Sequence, residues 1–441
     1  MFRRDCAAMR CAWGLLAAVA SVVLLAACGS SGSASSTTSG GGASSSTPAA
    51  ASTSSAATSS AASTQAATSA SGGCGTLPAG KVNDPTGAIA SLGSNYASDY
   101  AGFSDYPVTT SAWANWKPAH KSGWNVQIVW TPLTNPFTNT TLSALKQRLQ
   151  ASGKVATIQV QAPAAYTDVP QQLQEIGTAI QRKPDLLIVF ALAPAPAVPL
   201  IAKAAAAGIP TVSPWTLTPS KYAVSLDLNP YLNEGLPAAG ALKAMGGKGS
   251  VLEVQGIPGT STDAEAAAAW KAALALCPNV KVAGSVAGQF VGPVAKGLVQ
   301  QFLATHPTGV QGVFHAGTMG VGVLGAFQQT GHTPPPIADP GTAQGVIAYW
   351  HSHPSYDGTS TATPDLQIGS AAGSVALRML EGQGPKVNTI LAKPYVISRS
   401  NVGTVWKPSF AQSSLLDAYG PDGTFMPDSF LNGFFHKGAT P

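Results

Sequence analysis

Residues able to make or break bonds are sparse in this chain of 441 residues, which has five cysteines and seven histidines. His351 and His353 make an HSH pair, but no third ligand stands at a spacing that would complete a tetrahedral metal site. Serine acyl transfer would need a GxSxG elbow, zinc proteolysis an HExxH, and thiol catalysis a free cysteine with a partnered histidine; none occurs. Gly246-Gly247-Lys248-Gly249-Ser250 has the look of a phosphate loop, yet the earlier glycine of that motif is missing and a strand pattern follows where a helix should. The run MGVGVLG at 319–325 is a small-residue helix face without a dinucleotide context. Asn139-Thr140-Thr141 is a glycosylation acceptor only in a host that glycosylates. Recognition rather than turnover is the chemistry left to the polar and aromatic residues, so no enzyme, cofactor or metal is expected.

One thiol has neighbours that specify a reaction. Arg3, Arg4 and Arg10 precede an apolar run from Cys11 to Ala27 that ends Leu25-Ala26-Ala27-Cys28, the n-region, h-region and small-residue ending of a secretory signal. A transmembrane helix is the competing reading, but about 17 apolar residues are at the short limit for a span. The pattern resembles that of bacterial lipoproteins. That resemblance implies removal of residues 1–27, acylation of Cys28, and a lipid anchor on the extracytoplasmic side of the cell membrane. Cys6 and Cys11 leave with the signal, so Cys74 and Cys277 remain, and two thiols in an oxidising compartment usually pair. A Cys74–Cys277 disulfide is expected.

The leader takes three of the 24 Lys+Arg and one of the 19 Asp+Glu, which leaves a mature net charge of +3. No basic cluster falls on any helical face, so neither nucleic acid nor a polybasic membrane contact is expected. Residues 28–73 are almost entirely Ser, Thr, Ala and Gly with no charge, a composition that cannot bury enough apolar surface to order itself. As a coil of about 45 residues this tether would reach on the order of 35–40 Å. Residues 74–123 are rich in Gly, Pro and aromatics and read as an extended arm packed on the core.

From Trp124 onward short β-branched runs alternate with longer helical patterns, the signature of parallel sheets with crossover helices. Strands are expected at 124–130, 155–161, 186–190, 211–214, 222–227, 250–256, 281–286 and 312–317. TLSALKQRLQASG, PQQLQEIGTAIQRK, VPLIAKAAAAG and DAEAAAAWKAALAL carry apolar residues at helical spacing between them. Gly153, Gly208, Gly246 and Gly331 fall where helices should stop. The count suggests two α/β lobes of similar size.

Several segments are similar, in order, to those of one family. They are TNPFTNTTLSALKQRL, the stretch from QQLQEIG through PDLLIVF to AGIPTV, GSVLEVQGIPGTSTDAEAAAAWKAAL, CPNVKV, FLATHPTGVQGVF and PDLQIGSAAGSVALRMLEGQ. Together they resemble the type I periplasmic binding proteins, of the ribose- and xylose-binding kind that feed ABC importers, over residues 124–405. The resemblance implies two Rossmann-like lobes with parallel sheets joined by a three-strand hinge, closing on one small solute. Crossings are then expected near Ser225–Leu228, Ala338–Gly341 and Ser360–Pro364. Lobe one would be 124–226 plus 341–362, lobe two 227–340 plus 363–405, and residues 406–441 a C-terminal tail. Partners would be the solute and an ABC permease, and a monomer is expected.

The resemblance also points to ligand contacts. Asn135 offers an amide and Phe137 an aromatic face in the first strand-to-helix loop, and Trp215 a second face after TVSP. Asp227 and Asp339 stand at hinge positions as hydrogen-bond acceptors. Thr260, Ser261 and Asp263 stand at a helix N-terminus. Four familiar polar partners are missing: the family's arginine is Ala264 or Ala266, its Asn-Asp pair is Ala316-Gly317, the polar residue after the third strand is lost in LAPAPA, and the hinge glutamine is Ala362 or Thr363. Its usual Phe is Trp270. A simple sugar would lose several hydrogen bonds worth about 1–3 kcal/mol each, so the expected solute is sugar-like or less polar. A non-transport sensor or cell-surface interaction lipoprotein on the same fold is the alternative.

Overall fold

A computed structural model describes residues 73–134, 136–258, 260–421 and 425–436. The expected signal peptide, Cys28, the expected tether up to residue 72, and Asn135 lie outside the described residues.

An arm with one short helix, α1 (Ser94–Ala97), leads into β1 (Trp124–Val129), α2 (Pro136–Ala151), β2 (Val155–Gln161), α3 (Val169–Gln181), β3 (Leu186–Val189), α4 (Pro194–Ala206), β4 (Thr211–Pro214) and β5 (Ala223–Leu228). A second series follows: α5 (Pro230–Ala244), β6 (Gly249–Gln255), α6 (Ser261–Leu274), β7 (Val280–Ala287), α7 (Gly292–Thr305), β8 (Gly312–His315), α8 (Gly320–Gln329), β9 (Ile337–Thr342), α9 (Gln344–Ser352) and β10 (Thr359–Ala362). Then come α10 (Asp365–Leu380), β11 (Thr389–Ala392), β12 (Val396–Ile397), α11 (Val402–Val405) and, near the end, α12 (Asp428–Leu431). All eight strands expected from β-branched runs are present. The four glycines expected to stop helices all have positive φ, between 64° and 78°, a conformation that costs glycine nothing.

Two six-stranded sheets result, ordered β11-β5-β4-β3-β1-β2 and β12-β10-β9-β8-β6-β7. Every pair is parallel except β10 with β12. Central strands such as β3, β4 and β8 are buried along their whole length, as expected where helices cover both faces. The edge strands β2 and β7 are largely exposed or half-buried. Each sheet follows the doubly wound 2-1-3-4-5 order, which reverses direction beside its first strand and opens a crevice at the strands' carboxyl ends.

The division between lobes differs from the sequence expectation. The first crossing is at Leu228–Pro230, just past the expected Ser225–Leu228, but the chain does not cross near Ala338–Gly341. There β9 pairs with β8, and after α9 the chain adds β10 beside β9, so 341–362 belongs to lobe two. The next crossing is at Thr363–Pro364, after which α10 packs on α2 and β11 pairs with β5; these elements, placed in lobe two from sequence, belong to lobe one. The last crossing is at Lys393–Tyr395, between β11 and β12. A strand-helix-strand pattern specifies a parallel crossover, whereas hydrogen bonding between distant strands chooses the sheet that receives it.

Arm and tail are built into both lobes. Cys74 is bonded to Cys277 at the end of α6, across 203 residues of sequence. Farther along, Tyr100, Phe103, Tyr106 and Trp113 enter the core of lobe one, and Thr110 bridges Val387. In the tail, Ala418 exchanges backbone bonds with Thr342 and Thr363, and Leu431, Phe434 and Phe435 then join the core of lobe one.

Candidate ligand-binding site

The carboxyl ends of the two sheets face each other, and the residues just past them enclose a cavity of about 160 Å³. A dry engineered cavity of about 150 Å³ admits benzene, so there is room for a six-membered ring.

Lobe one contributes aromatic faces. Phe137, in the first turn of α2, meets Trp215 with ring centroids 4.5 Å apart and planes at 57°. Phe190 is set edge-on to Trp130 at 5.1 Å. Gln172 of α3 holds these strand ends together. Its amide donates to the carbonyls of Trp130 at 2.7 Å and Phe190 at 2.9 Å, and its carbonyl accepts from the Leu192 N–H at 2.7 Å.

Lobe two answers with Phe290, whose ring packs closely on Gly256 and Gly317. A Cβ on Gly256 would stand 2.1 Å from Cζ of that ring, so only glycine permits the approach. Trp215, Gln289 and Phe290 have φ of 60°, 60° and 58°. Left-handed backbone costs a non-glycine residue about 1–3 kcal/mol and persists where the surroundings enforce it, often at functional sites. Two of the cavity's aromatic faces are presented by such residues.

Three carboxyl groups line the same space: Asp227 at the end of β5, Glu234 on α5 and Glu265 on α6. The Asp227 Oδ1 accepts from the Leu228 N–H at 2.6 Å. Burial holds the Asp227 carboxyl well above the usual range, and the nearby Glu265 adds to this. Burial likewise raises Glu234, followed by the same neighbour. Glu265 is pushed up to about 8, first by burial and then by Asp105, an arm residue hydrogen-bonded to it. Asp105 is itself raised by burial of its carboxyl, although its outer side remains in solvent. Glu234 is only 3 % exposed, and while its Oε1 accepts from the Asn233 amide at 3.3 Å, its buried Oε2 has no partner. None of the cavity-lining residues is Lys, Arg or His.

Of the residues expected from sequence, Phe137, Trp215, Asp227 and Thr260 line the cavity. The Thr260 hydroxyl also caps α6, accepting from the Asp263 N–H at 3.4 Å. Ser261 opens α6, its side chain outside the described atoms. Asp263 does not line the cavity; its Oδ1 accepts from the Gly256 N–H at 2.7 Å and braces the turn that carries Phe290's glycine. Asp339 is also a correction. Pro340 and Gly341 beside it line the cavity, whereas its carboxylate points behind the wall and is bonded at 2.8 Å to both His315 Nε2 and Ser360 Oγ. Strand alternation sets its side chain on the opposite face of β9 from Pro340, and Gly341, at φ 64°, departs from the regular pleat. The sequence reading missed Phe190, Phe290, Glu234 and Glu265. Glu265 stands between Ala264 and Ala266, the positions weighed for the family's arginine, and Glu234 one turn into the helix that follows the first crossing.

Comparison with known proteins agrees with this architecture. A periplasmic binding protein domain matches residues 126–384, more than half of the chain. No curated protein matches the sequence. Among solved structures, an ABC transporter solute-binding protein from Thermobispora bispora is similar at 23 % identity and TM-score 0.58, covering 65 % of this chain and 90 % of its own. A solute-binding protein from Mycobacterium smegmatis with bound glycerol gives 19 % and 0.57, covering 66 % and 99 %. One from Bacillus halodurans with bound myo-inositol gives 16 % and 0.56, covering 65 % and 98 %. With two doubly wound parallel sheets meeting at their carboxyl ends across three crossings, and a domain match over most of both lobes, the chain belongs to the type I periplasmic binding protein family.

Proposed function

We propose that the protein is the solute receptor of an ABC importer, held at the outer face of the cell membrane through acylated Cys28 and handing a small solute of sugar-like size to a permease. The observation that carries this reading is the inter-lobe cavity, with room for a six-membered ring, built from strand ends of both sheets. A ligand that touches both walls has greater affinity for the closed arrangement, and that difference is the free energy available to signal occupancy to a permease. Hinge closure needs the three crossing segments to adjust, together with the arm and tail where they pass from one lobe to the other. Chemistry on the solute is not part of the reading, since the cleft residues are matched to recognition.

The test is a melting-temperature screen of the purified receptor against sugars, polyols, amines and small aromatic solutes, followed by small-angle scattering with the best ligand. A ligand at about 100 times its Kd should stabilise the folded state by about 2.7 kcal/mol, and the radius of gyration should fall as the lobes close. If no small molecule shifts the melting temperature while a partner protein does, the importer reading fails in favour of a surface interaction lipoprotein. Cys28→Ser should release the protein from the membrane fraction; retention there refutes the anchor.

A further inference from the structure

We infer that the solute is an organic ammonium, a protonated or methylated amine held by Asp227, Glu234 and Glu265 between the aromatic faces of Phe137, Trp215, Phe190 and Phe290. This rests on the receptor reading above and names the chemical class that its cleft selects.

The first argument is the balance of donors and acceptors. Three carboxyl groups line the cavity, and among the described lining residues Asn233 is the one side-chain amide. One of its two amide N–H groups already points at Glu234. Otherwise threonine hydroxyls and the Tyr166 phenol supply the side-chain polar groups. A sugar or polyol would meet hydroxyls here, but none of the Lys, Arg or His donors that could face its oxygens beside three carboxyl groups. An ammonium presents donors or a bare positive charge, which complements three carboxyl groups that have no cation beside them in the lining.

The second argument is the unsatisfied Oε2 of Glu234, deeply buried on the cavity wall. A buried carboxyl oxygen without a partner is costly, and an ammonium that favours the ionised form can offset that cost with a charge-assisted bond, among the strongest available. The third is the set of aromatic faces. Phe137 and Trp215 form a corner of two rings at 57°, and Phe290 closes the opposite side. Aromatic faces within about 6 Å of an organic cation attract it by roughly 0.5–2 kcal/mol each, the more so when water is excluded. They also distinguish an organic cation from a metal ion, and among the described residues no three His, Cys, Asp or Glu side chains are placed to share a metal.

Binding an ammonium has a consequence that a neutral solute does not. Asp105 from the arm, Asp227 from β5 and Glu234 from α5 surround Glu265, and no basic residue lines the space. Glu265 titrates near 8 in this setting. A cation favours the ionised form of every member, so its capture expels protons.

Two matched pairs provide the test: choline against 3,3-dimethyl-1-butanol, and glucosamine against glucose, each measured by calorimetry on the whole receptor. The charged member of at least one pair should bind at least tenfold more tightly than its neutral twin. The pair that responds distinguishes an alkylammonium from an amino sugar. Affinity for the charged member should rise at least threefold from pH 6 to pH 8, and the observed heat should vary with the ionisation enthalpy of the buffer, reporting released protons. Glu234→Gln should weaken that ligand tenfold or more without lowering the melting temperature. If a neutral member, myo-inositol or glycerol binds and both amines do not, the ammonium inference falls while the receptor reading stands. If no probe in the pairs or the wider screen binds, both fall.

Discussion

Asp339 gives the sharpest test of how the cleft is built, because hinge position marks it as a ligand contact and the fold uses it otherwise. Its side chain is 1 % exposed and receives His315 Nε2 and Ser360 Oγ, both at 2.8 Å. Those partners come from β8 and β10, so the carboxylate ties three adjacent strands of lobe two together. Asp339→Ala leaves two buried donors unsatisfied, and each such orphan costs about 1–3 kcal/mol; a loss of about 3 kcal/mol is expected, a large part of a typical 5–15 kcal/mol. Asp339→Asn keeps the volume and one acceptor, so it should lose about half as much. Urea unfolding followed by tryptophan fluorescence reads this directly, since Trp270 and Trp350 are buried in lobe two. Ligand affinity at temperatures well below the melting point should change less than twofold, because Pro340 and Gly341 rather than Asp339 line the cavity. A variant that unfolds within 1 kcal/mol of the parent yet loses more than tenfold in affinity would refute the assignment.

Other consequences follow from the arm and the tail. Replacing Cys74 and Cys277 by Ser frees a loop of 203 residues, for which chain entropy gives a loss of about 5 kcal/mol; equal urea midpoints for parent and variant would show that other arm contacts do this work. Asp417 in the tail is pushed up to about 9 by burial and then by Asp365, so its folded pKa lies above the unfolded value. The stability it contributes is therefore complete below pH 4 and is lost as pH rises toward 9. Asp417→Asn should flatten that decline, measured as the urea midpoint at pH 5 and pH 8, and an unchanged slope would remove Asp417 as its source.

Much of the scaffold is legible in particular residues. Val126, Ile128 and Val129 mark a buried strand, and Gly208 after KAAAA marks a helix end. Phe137 and Trp215 are legible as cavity walls because each follows a strand end in a doubly wound pattern, where ligands bind. Phe290 is not, since its position depends on two consecutive left-handed residues and on open space above Gly256 and Gly317. Nor could spacing separate Asp227 from Asp339, two aspartates at strand ends that alternate between facing the cleft and facing a neighbouring strand. Glu234 and Glu265 carried no motif and acquire meaning through proximity across the cleft.

The sequence by itself determined the local elements, the parallel α/β class, the pairing of Cys74 with Cys277, and the absence of catalytic patterning. These are properties of periodicity, turn chemistry and residue count, which act over a few neighbours or through elimination. Tertiary structure alone decided which sheet receives β10 and β11, that arm and tail belong to both lobes, and which carboxyl groups share the cavity. Those outcomes depend on hydrogen bonds and burial between residues far apart in the chain, where desolvation and nearby charge turn scattered acidic residues into a single binding surface.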